Sequence, residues 1–393
     1  MSVEGEVVAG FEAVKAVFAE QVAQVGAGGA AFAAVVDGRP VVDLWAGRAG
    51  KRPWRHETRC VLMSTTKGFG ATAVARLIER GELDVEAPVA RYWPEFAAAG
   101  KAEITVAQLL SHSAGLVTVP GYEDLLSPDG EGWDRTDEIV RRLAAAAPEW
   151  PPGSAHGYHG LTIGWLVGEL VRRVAGVSVG TLIREEVAGP LKLELDLGTP
   201  PERQHLVAPL ILPGDRAAVD ADMDVADPEL MARMFLTVDG RSILDTAPAF
   251  FGDPDCLQLE LGGSNATGTA RAVATLFGAL ANEGSCDGTR LLAPETVAAV
   301  TAEQRRGPDR MSGSEARWAL GFALAVAPDA DAPTPPAWGP HDESFGANGY
   351  GGQIGFADPV SRVGVGFVRS ELLAIDTLGP SLVRALYDCL EAQ

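Results

Sequence analysis

Ser64-Thr65-Thr66-Lys67 places a hydroxyl and an amine three residues apart. In a helix that separation puts both side chains on one face, within reach of each other. A serine hydroxyl is a weak nucleophile at neutral pH and needs a neighbour to take its proton. A lysine can do so only where burial or a nearby cation lowers its pKa. The pair therefore has the make-up of a nucleophile and its base, and a helix N-terminus there would favour developing negative charge. Taken alone, Ser-x-x-Lys suits an N-cap serine and a solvated lysine equally well. Gly68 and Gly70, poor helix formers in the next turn, predict that another backbone packs very close to this helix.

The elements around the pair follow from periodicity and turn residues. Apolar runs at 30–36 and 40–46 flank Asp37-Gly38, a pair suited to a tight hairpin turn, so two adjacent strands open the fold. Cys60-Val61-Leu62-Met63 leads into Ser64 and a helix with Val74, Leu77 and Ile78 on one face, closed by Gly81. From 82 to 290 the pattern is mainly helical, with pieces at 106–110, 136–146, 162–174, 179–187 and 269–281. The stretch 200–260 is irregular and rich in Pro, Asp and Gly, suited to a substrate-covering lid or a plain connector. Strand signals return at 318–326, 352–357 and 362–368, with a turn at Asp358-Pro359. A final helix carries Leu382, Val383, Leu386 and Leu390 at helical spacing.

Separated strands must pair to bury their apolar faces. The expected architecture is therefore an α/β lobe from residues 1–80 and 290–393 and a mainly helical lobe from 81–289, with the site in the cleft between them. A length of 393 residues allows two to three domains at about 150 residues each, or one large unit. With 47% hydrophobic and 22% charged residues the chain can build a sizeable core. The net charge of −21 repels phosphate backbones and anionic lipid, so neither a nucleic acid nor a membrane is an expected partner. No stretch approaches about 18 uninterrupted apolar residues, and the N-terminus lacks a basic region before an apolar one; a cytoplasmic protein is expected. Cys60, Cys256, Cys286 and Cys389 are far apart and read as free thiols.

The segments STTKG, RYWPEFAAAGKAEITVAQLLSHSAGL and PPGSAHGYHGLTIGWLVGEL together resemble the serine β-lactamase and penicillin-binding-protein superfamily, nearest to the family VIII carboxylesterases. The likeness runs from about Phe11 to the final helix. It implies a β-lactamase/transpeptidase-like α/β (α+β) fold: a mixed, mainly antiparallel sheet flanked by helices, plus a large helical lobe. It also implies a catalytic set of Ser64, Lys67 and Tyr158, the last within Gly157-Tyr158-His159-Gly160. The third motif of the superfamily falls on Ala347-Asn348-Gly349. In the implied mechanism Ser64 attacks an acyl carbonyl while Lys67 and Tyr158 move its proton. An acyl-Ser64 intermediate forms, and backbone N–H groups of Ser64 and Tyr350 hold the oxyanion. No cofactor and no metal are required.

Departures from the superfamily pattern bear on the substrate. β-Lactamases of this fold carry Lys-Thr-Gly as the third motif, whose cation helps hold a carboxylate; here Ala347 stands first, and the His or Trp frequent in the esterases is absent too. The asparagine two residues after the tyrosine, used toward an amide side chain, is replaced by Gly160. A site without those anchors suits a neutral small-molecule ester or an activated acyl group. The expected activity is ester hydrolysis. The alternative is acyl transfer to a small-molecule acceptor, with a β-lactamase, a D-amino-acid peptidase or an inactive binding module behind it. Oligomeric state is not readable.

Other candidates have plainer readings beside them. Gly176-Val177-Ser178-Val179-Gly180 matches the Gly-x-Ser-x-Gly of a nucleophile elbow, but an elbow must follow a strand. The residues before it have helical spacing, so Gly176 reads as a C-cap and Ser178 as the next N-cap. His156 and His159 flank the tyrosine and are expected to shape or line the pocket, since no carboxylate-rich cluster accompanies them to make a metal site. His112 reads as a structural hydrogen-bonding residue. Asn265 aligns with a superfamily segment near the site, with helix capping as the alternative. Trp45, Trp54, Trp93 and Trp165 read as packing, and Trp338 and Tyr350 as pocket candidates.

Overall fold

Asp37 and Gly38 both take positive φ, 50° and 70°, as a two-residue turn must if it is to match the twist of the strands it joins. The strands it closes, Gly29–Val36 and Arg39–Ala49, run antiparallel with Val36 opposite Arg39. On its other side Gly29–Val36 pairs with Val363–Arg369 from the far end of the chain, Ala30 opposite Arg369. That pairing joins the two ends in one sheet. The computed structural model describes residues 1–212, 225–326, 338–373 and 376–393.

Within these residues the sheet has ten strands. Its order is Val3–Val7, Arg39–Ala49, Gly29–Val36, Val363–Arg369, Ile354–Asp358, Phe345–Gly346, Ala323–Leu324, Glu315–Trp318 and Arg305–Pro308, with Arg52–Pro53 on the side of Arg39–Ala49. Each neighbouring pair is antiparallel. Strand residues alternate between faces. Thus Ala30, Phe32 and Ala34 pack with Val14 and Phe18 of Glu12–Glu20 and Leu382, Val383 and Leu386 of Leu378–Glu391. Ala31, Ala33 and Val35 face the other way, into the main core.

On that inner face lies the helix Ala270–Ala281, at a separation only glycine allows. A Cβ at Gly364 would sit 1.9 Å from the Gly278 nitrogen, and one at Gly366 2.1 Å from the Ala270 carbonyl oxygen. The helix belongs by sequence to the span expected as the helical lobe, yet it covers the sheet.

The helices expected in the middle of the chain are present as Val106–Leu110, Thr136–Ala145, Thr162–Ala175, Val179–Ile183 and Ala270–Ala281. The strand expected over 318–326 is instead a hairpin of Glu315–Trp318 and Ala323–Leu324. Gly321, at φ 86°, turns the chain, and its N–H donates to the Leu110 carbonyl at 3.1 Å. The irregular stretch contains the short helices Pro201–Gln204, Pro228–Met234, Ala247–Phe250 and Pro254–Gln258; its part at 213–224 lies outside the described residues. All four cysteines are free and buried. Among the described residues no helix is long and apolar enough to cross a membrane.

Candidate active site

Cys60–Val61 pairs with Thr267–Gly268, and Leu62 N–H then donates to the Ala266 carbonyl at 2.8 Å. The chain turns sharply at Met63, whose φ of 48° is left-handed. A residue so held is stabilised only by its surroundings. Ser64 follows in a 3₁₀ turn that runs into the helix Thr66–Glu79. Backbone N–H groups at such a start have no intrahelical acceptor, so the Ser64 N–H is free of the helix ladder.

The four side chains of Ser64 to Lys67 reach three other segments of the chain, at Tyr158, at Ala347 and at Gly263 to Ala266. Thr65 Oγ1 donates to the Ala347 carbonyl at 3.0 Å, and Thr66 Oγ1 accepts from Ala266 N–H at 3.1 Å. Lys67 Nζ lies 2.9 Å from Ser64 Oγ and 2.7 Å from the Gly263 carbonyl oxygen. The Tyr158 hydroxyl donates to Ser64 Oγ at 2.7 Å. Amine and phenol thus meet on one oxygen, with Lys67 Nζ 4.8 Å from the centre of the tyrosine ring.

Electrostatics separate their roles. Lys67 is 8% exposed, and burial lowers its pKa from 10.5 to about 7. Near neutral pH a large fraction is the free amine. Burial raises the Tyr158 pKa strongly; the bond to Ser64 opposes this, and the Asp309 carboxylate adds to it. The phenol stays protonated and acts as a donor.

The Gly263 carbonyl reaches Lys67 because glycines meet there. A Cβ at Gly164, inside Thr162–Ala175, would lie 2.5 Å from the Gly263 nitrogen. One at Gly263 would lie 3.2 Å from the Gly160 carbonyl oxygen. Asn265 does not line the site. Its amide is spent inside the Gly263 loop, accepting from Leu261 N–H at 2.9 Å and donating to the Cys256 and Leu259 carbonyls at 3.1 and 2.8 Å. Thr269, not Asn265, caps the next helix.

The third-motif residues Ala347-Asn348-Gly349 follow the strand Phe345–Gly346 rather than lying within it, and they run against the turn at Met63. A Cβ at Gly349 would meet the Leu62 carbonyl oxygen at 2.5 Å and Met63 Cβ at 3.1 Å. Tyr350 is the next residue along. Ala347 is buried and presents no polar side chain. Asn348 is exposed, and its Oδ1 accepts from Trp338 Nε1 at 2.6 Å. Trp338 itself packs with the cluster of the C-terminal helix.

The histidines beside Tyr158 shape its loop. His159 Nε2 accepts from Leu116 N–H at 2.9 Å while Nδ1 lies 2.7 Å from the Gly157 carbonyl oxygen, and burial lowers its pKa to about 4. His156 is buried, and its carbonyl accepts from Arg310 N–H at 3.0 Å. A side chain at Gly160 would meet Met234 Sδ 3.0 Å from its Cβ. Ser178 is an N-cap, accepting from Thr181 N–H at 3.2 Å and donating to Glu260 at 2.8 Å. Gly176 ends the preceding helix at φ 71°.

Gly68 is close-packed, though against a ring rather than a backbone: a Cβ there would lie 2.7 Å from Phe277, while one at Gly70 would have 3.8 Å to the Gly262 carbonyl oxygen. Two further parts were not anticipated. The Gly263 carbonyl had a signal in the Gly262-Gly263 pair together with a glycine inside a helix. Trp318, stacked on Tyr158 at 5.8 Å with 10° between planes, had none, because its strand residues lie far from both motifs in sequence.

Known proteins share this frame over most of its length. The chain is 38% identical to the "Esterase/beta-lactamase LipL" of Mycobacterium tuberculosis over 358 residues, 88% of this chain and 78% of that protein. Among solved structures, a penicillin-binding protein homolog from Caulobacter crescentus superposes with a TM-score of 0.85 at 35% identity, covering 99% of this chain and all (100%) of that one. A family VIII carboxylesterase does so with a TM-score of 0.85 at 33% identity and the same coverage, 99% and 100%. The Beta-lactamase family matches residues 14–371, and the chain belongs to that family.

Proposed function

We propose that the protein is a serine hydrolase that cleaves carboxylic esters through an acyl-Ser64 intermediate. The observation that carries this reading is the convergence of Lys67 Nζ and the Tyr158 hydroxyl on Ser64 Oγ, at 2.9 and 2.7 Å. Ser64 Oγ attacks the ester carbonyl carbon as its proton passes to the neutral Lys67 amine. The oxyanion sits between the N–H groups of Ser64 and Tyr350, each worth about 3–4 kcal/mol when removed. Collapse breaks the acyl–oxygen bond, and Tyr158 with Lys67 returns the proton to the leaving alcohol. Water then enters by the reverse path and frees Ser64. The similarity to proteins named esterase and carboxylesterase supports the substrate class.

The side chains missing at 160 and 347 favour a neutral ester over a β-lactam. A site built to bind an amide and a carboxylate would offer groups that Gly160 and Ala347 do not carry. Four unpaired thiols support a reducing, cytoplasmic setting.

The test is p-nitrophenyl acetate turnover, which is expected to vanish in Ser64→Ala and persist in Ser178→Ala; the opposite pattern overturns the assignment. A chromogenic cephalosporin is expected to turn over far more slowly than the ester, and comparable rates would refute the substrate argument. Adding an alcohol or amine acceptor reads the remaining choice. Dominant transfer at low acceptor concentration would make the protein an acyltransferase using the same acyl-enzyme.

A further inference from the structure

Tyr158 lies in neither helix nor strand, yet its hydroxyl stands 2.7 Å from Ser64 Oγ. One residue holds the backbone N–H groups of both sequence neighbours of Tyr158. Gly157 N–H donates to the His112 carbonyl at 3.0 Å, and His159 N–H donates to His112 Nδ1 at 3.1 Å. His112 is 1% exposed and takes a φ of 58°, a left-handed conformation that His, Asn and Asp adopt more readily than other side chains. Its ring centre is 5.3 Å from that of Tyr158 and meets Trp318 edge-on at 4.3 Å. Trp318 in turn lies parallel to Tyr158, so the phenol ring has a wall of two rings behind it.

Nδ1 can accept a hydrogen bond only without a proton of its own, which requires the neutral ring with its hydrogen on Nε2. Burial, with His159, Lys67 and His156 adding, keeps the His112 pKa well below the ordinary histidine range. The acceptor is therefore present at every pH at which Lys67 can act as a base.

We infer that His112, backed by Trp318, is a positioning residue: it brackets the backbone of Tyr158 and sets the phenol on Ser64, acting on the reaction only through that phenol. This rests on the assignment of Ser64, Lys67 and Tyr158 proposed above. No hydrogen bond joins His112 to Ser64 or Lys67.

The test is a set of double-variant cycles read by kcat and KM for p-nitrophenyl acetate and by the rate at which a fluorophosphonate labels Ser64. His112→Phe keeps a ring and loses the acceptor; kcat is expected to fall about 100-fold with KM changed less than about threefold. His112→Asn keeps an oxygen acceptor near the Nδ1 position and tolerates positive φ, so it recovers most of the loss. In a Tyr158→Phe background, His112→Phe and Trp318→Leu cost nothing further, because a residue acting through the phenol has nothing left to act on. Additive losses, or an Asn variant as poor as the Phe variant, overturn the inference. Should His112→Phe fail to fold, the Trp318→Leu cycle decides in the same way. A wild-type protein that takes the fluorophosphonate but turns over no ester faults the substrate reading alone, and the cycle is then read from labelling rates.

Discussion

Lys67 carries the sharpest conflict between stability and chemistry in the site. Its amine is buried against a carbonyl and a hydroxyl, and no ion pair to a carboxylate is formed among the described residues. The unfolded amine holds its proton up to about pH 10.5, the folded one only up to about 7. Between those values the unfolded chain binds more protons, so stability rises with pH across that window; below about 7 both states are charged and the slope disappears. Lys67→Met removes both the slope and the cost of burying the amine. We expect it to abolish ester turnover while stabilising the protein by about 1 kcal/mol at pH 7, with the gap to wild type narrowing by pH 9. Urea melts at the two pH values check this, and a variant less stable at pH 7 would contradict it. Only the free amine can take the Ser64 proton, so kcat/KM should rise through one ionisation near pH 7, the acid limb of the free enzyme. A limb near 10 would mean that Lys67 keeps an ordinary pKa.

The elements that hold these groups meet through absent side chains. The helix Thr162–Ala175 touches the Gly263 loop at Gly164, where a Cβ would lie 2.5 Å from one backbone nitrogen and 3.0 Å from another. Gly164→Ala must therefore push away the loop that presents its carbonyl to Lys67. We expect a loss of about 1–3 kcal/mol together with a displaced acid limb, read by thermal melts and pH–rate profiles. Ser178→Ala, at the start of Val179–Ile183, should cost about 1 kcal/mol as a lost cap and leave ester turnover intact. A normal melting temperature in that variant would mean that the bond to Glu260 contributes nothing. What could be read ahead of the structure follows the same division. Asp37-Gly38, Ser178 and Gly176 act through local backbone conformation, and their neighbours in sequence are enough to expose it. Ser64 and Lys67 share a helix turn, and Tyr158 was reached only by likeness to a known superfamily. The Gly263 carbonyl, the Trp318 stack and the His112 bracket depend on approaches between distant segments. Asn265 looked like a site residue because it adjoins the segment that matters, while its own amide faces inward. The span 318–326 reads as one strand by its apolar residues, whereas the positive φ of Gly321 and the bonds of Leu320 and Gly321 to the distant Val300 and Leu110 carbonyls break it.

At the scale of the molecule, the question is whether sheet and helices can come apart. The chain leaves the sheet after Arg52–Pro53 and returns at Arg305–Pro308, so the helical middle is an insertion into the sheet's connectivity. The inner face of the sheet, through Ala31, Ala33 and Val35, shares one contiguous core with Val74 and Leu77 of the helix Thr66–Glu79 and with Leu166 and Leu170. A contiguous apolar core of this kind marks a single domain, which predicts unfolding as one unit. Where the chain ends meet, Arg369 is fully buried, pairs with Asp376, and donates to the carbonyls of Gln24 at 3.1 Å and Glu371 at 2.6 Å. Arg369→Met leaves the Asp376 carboxylate buried without its partner, which costs about 3–5 kcal/mol. The seam lies at the end of a central strand of the sheet, and none of these groups bonds to Ser64, Lys67 or Tyr158. If the molecule is one unit, the variant's denaturation curves by far-UV circular dichroism and by residual esterase activity shift together to lower denaturant and stay superimposed. Helical signal surviving past the loss of activity would show that the middle of the chain folds independently of the sheet, and the shared core would then fail to couple them.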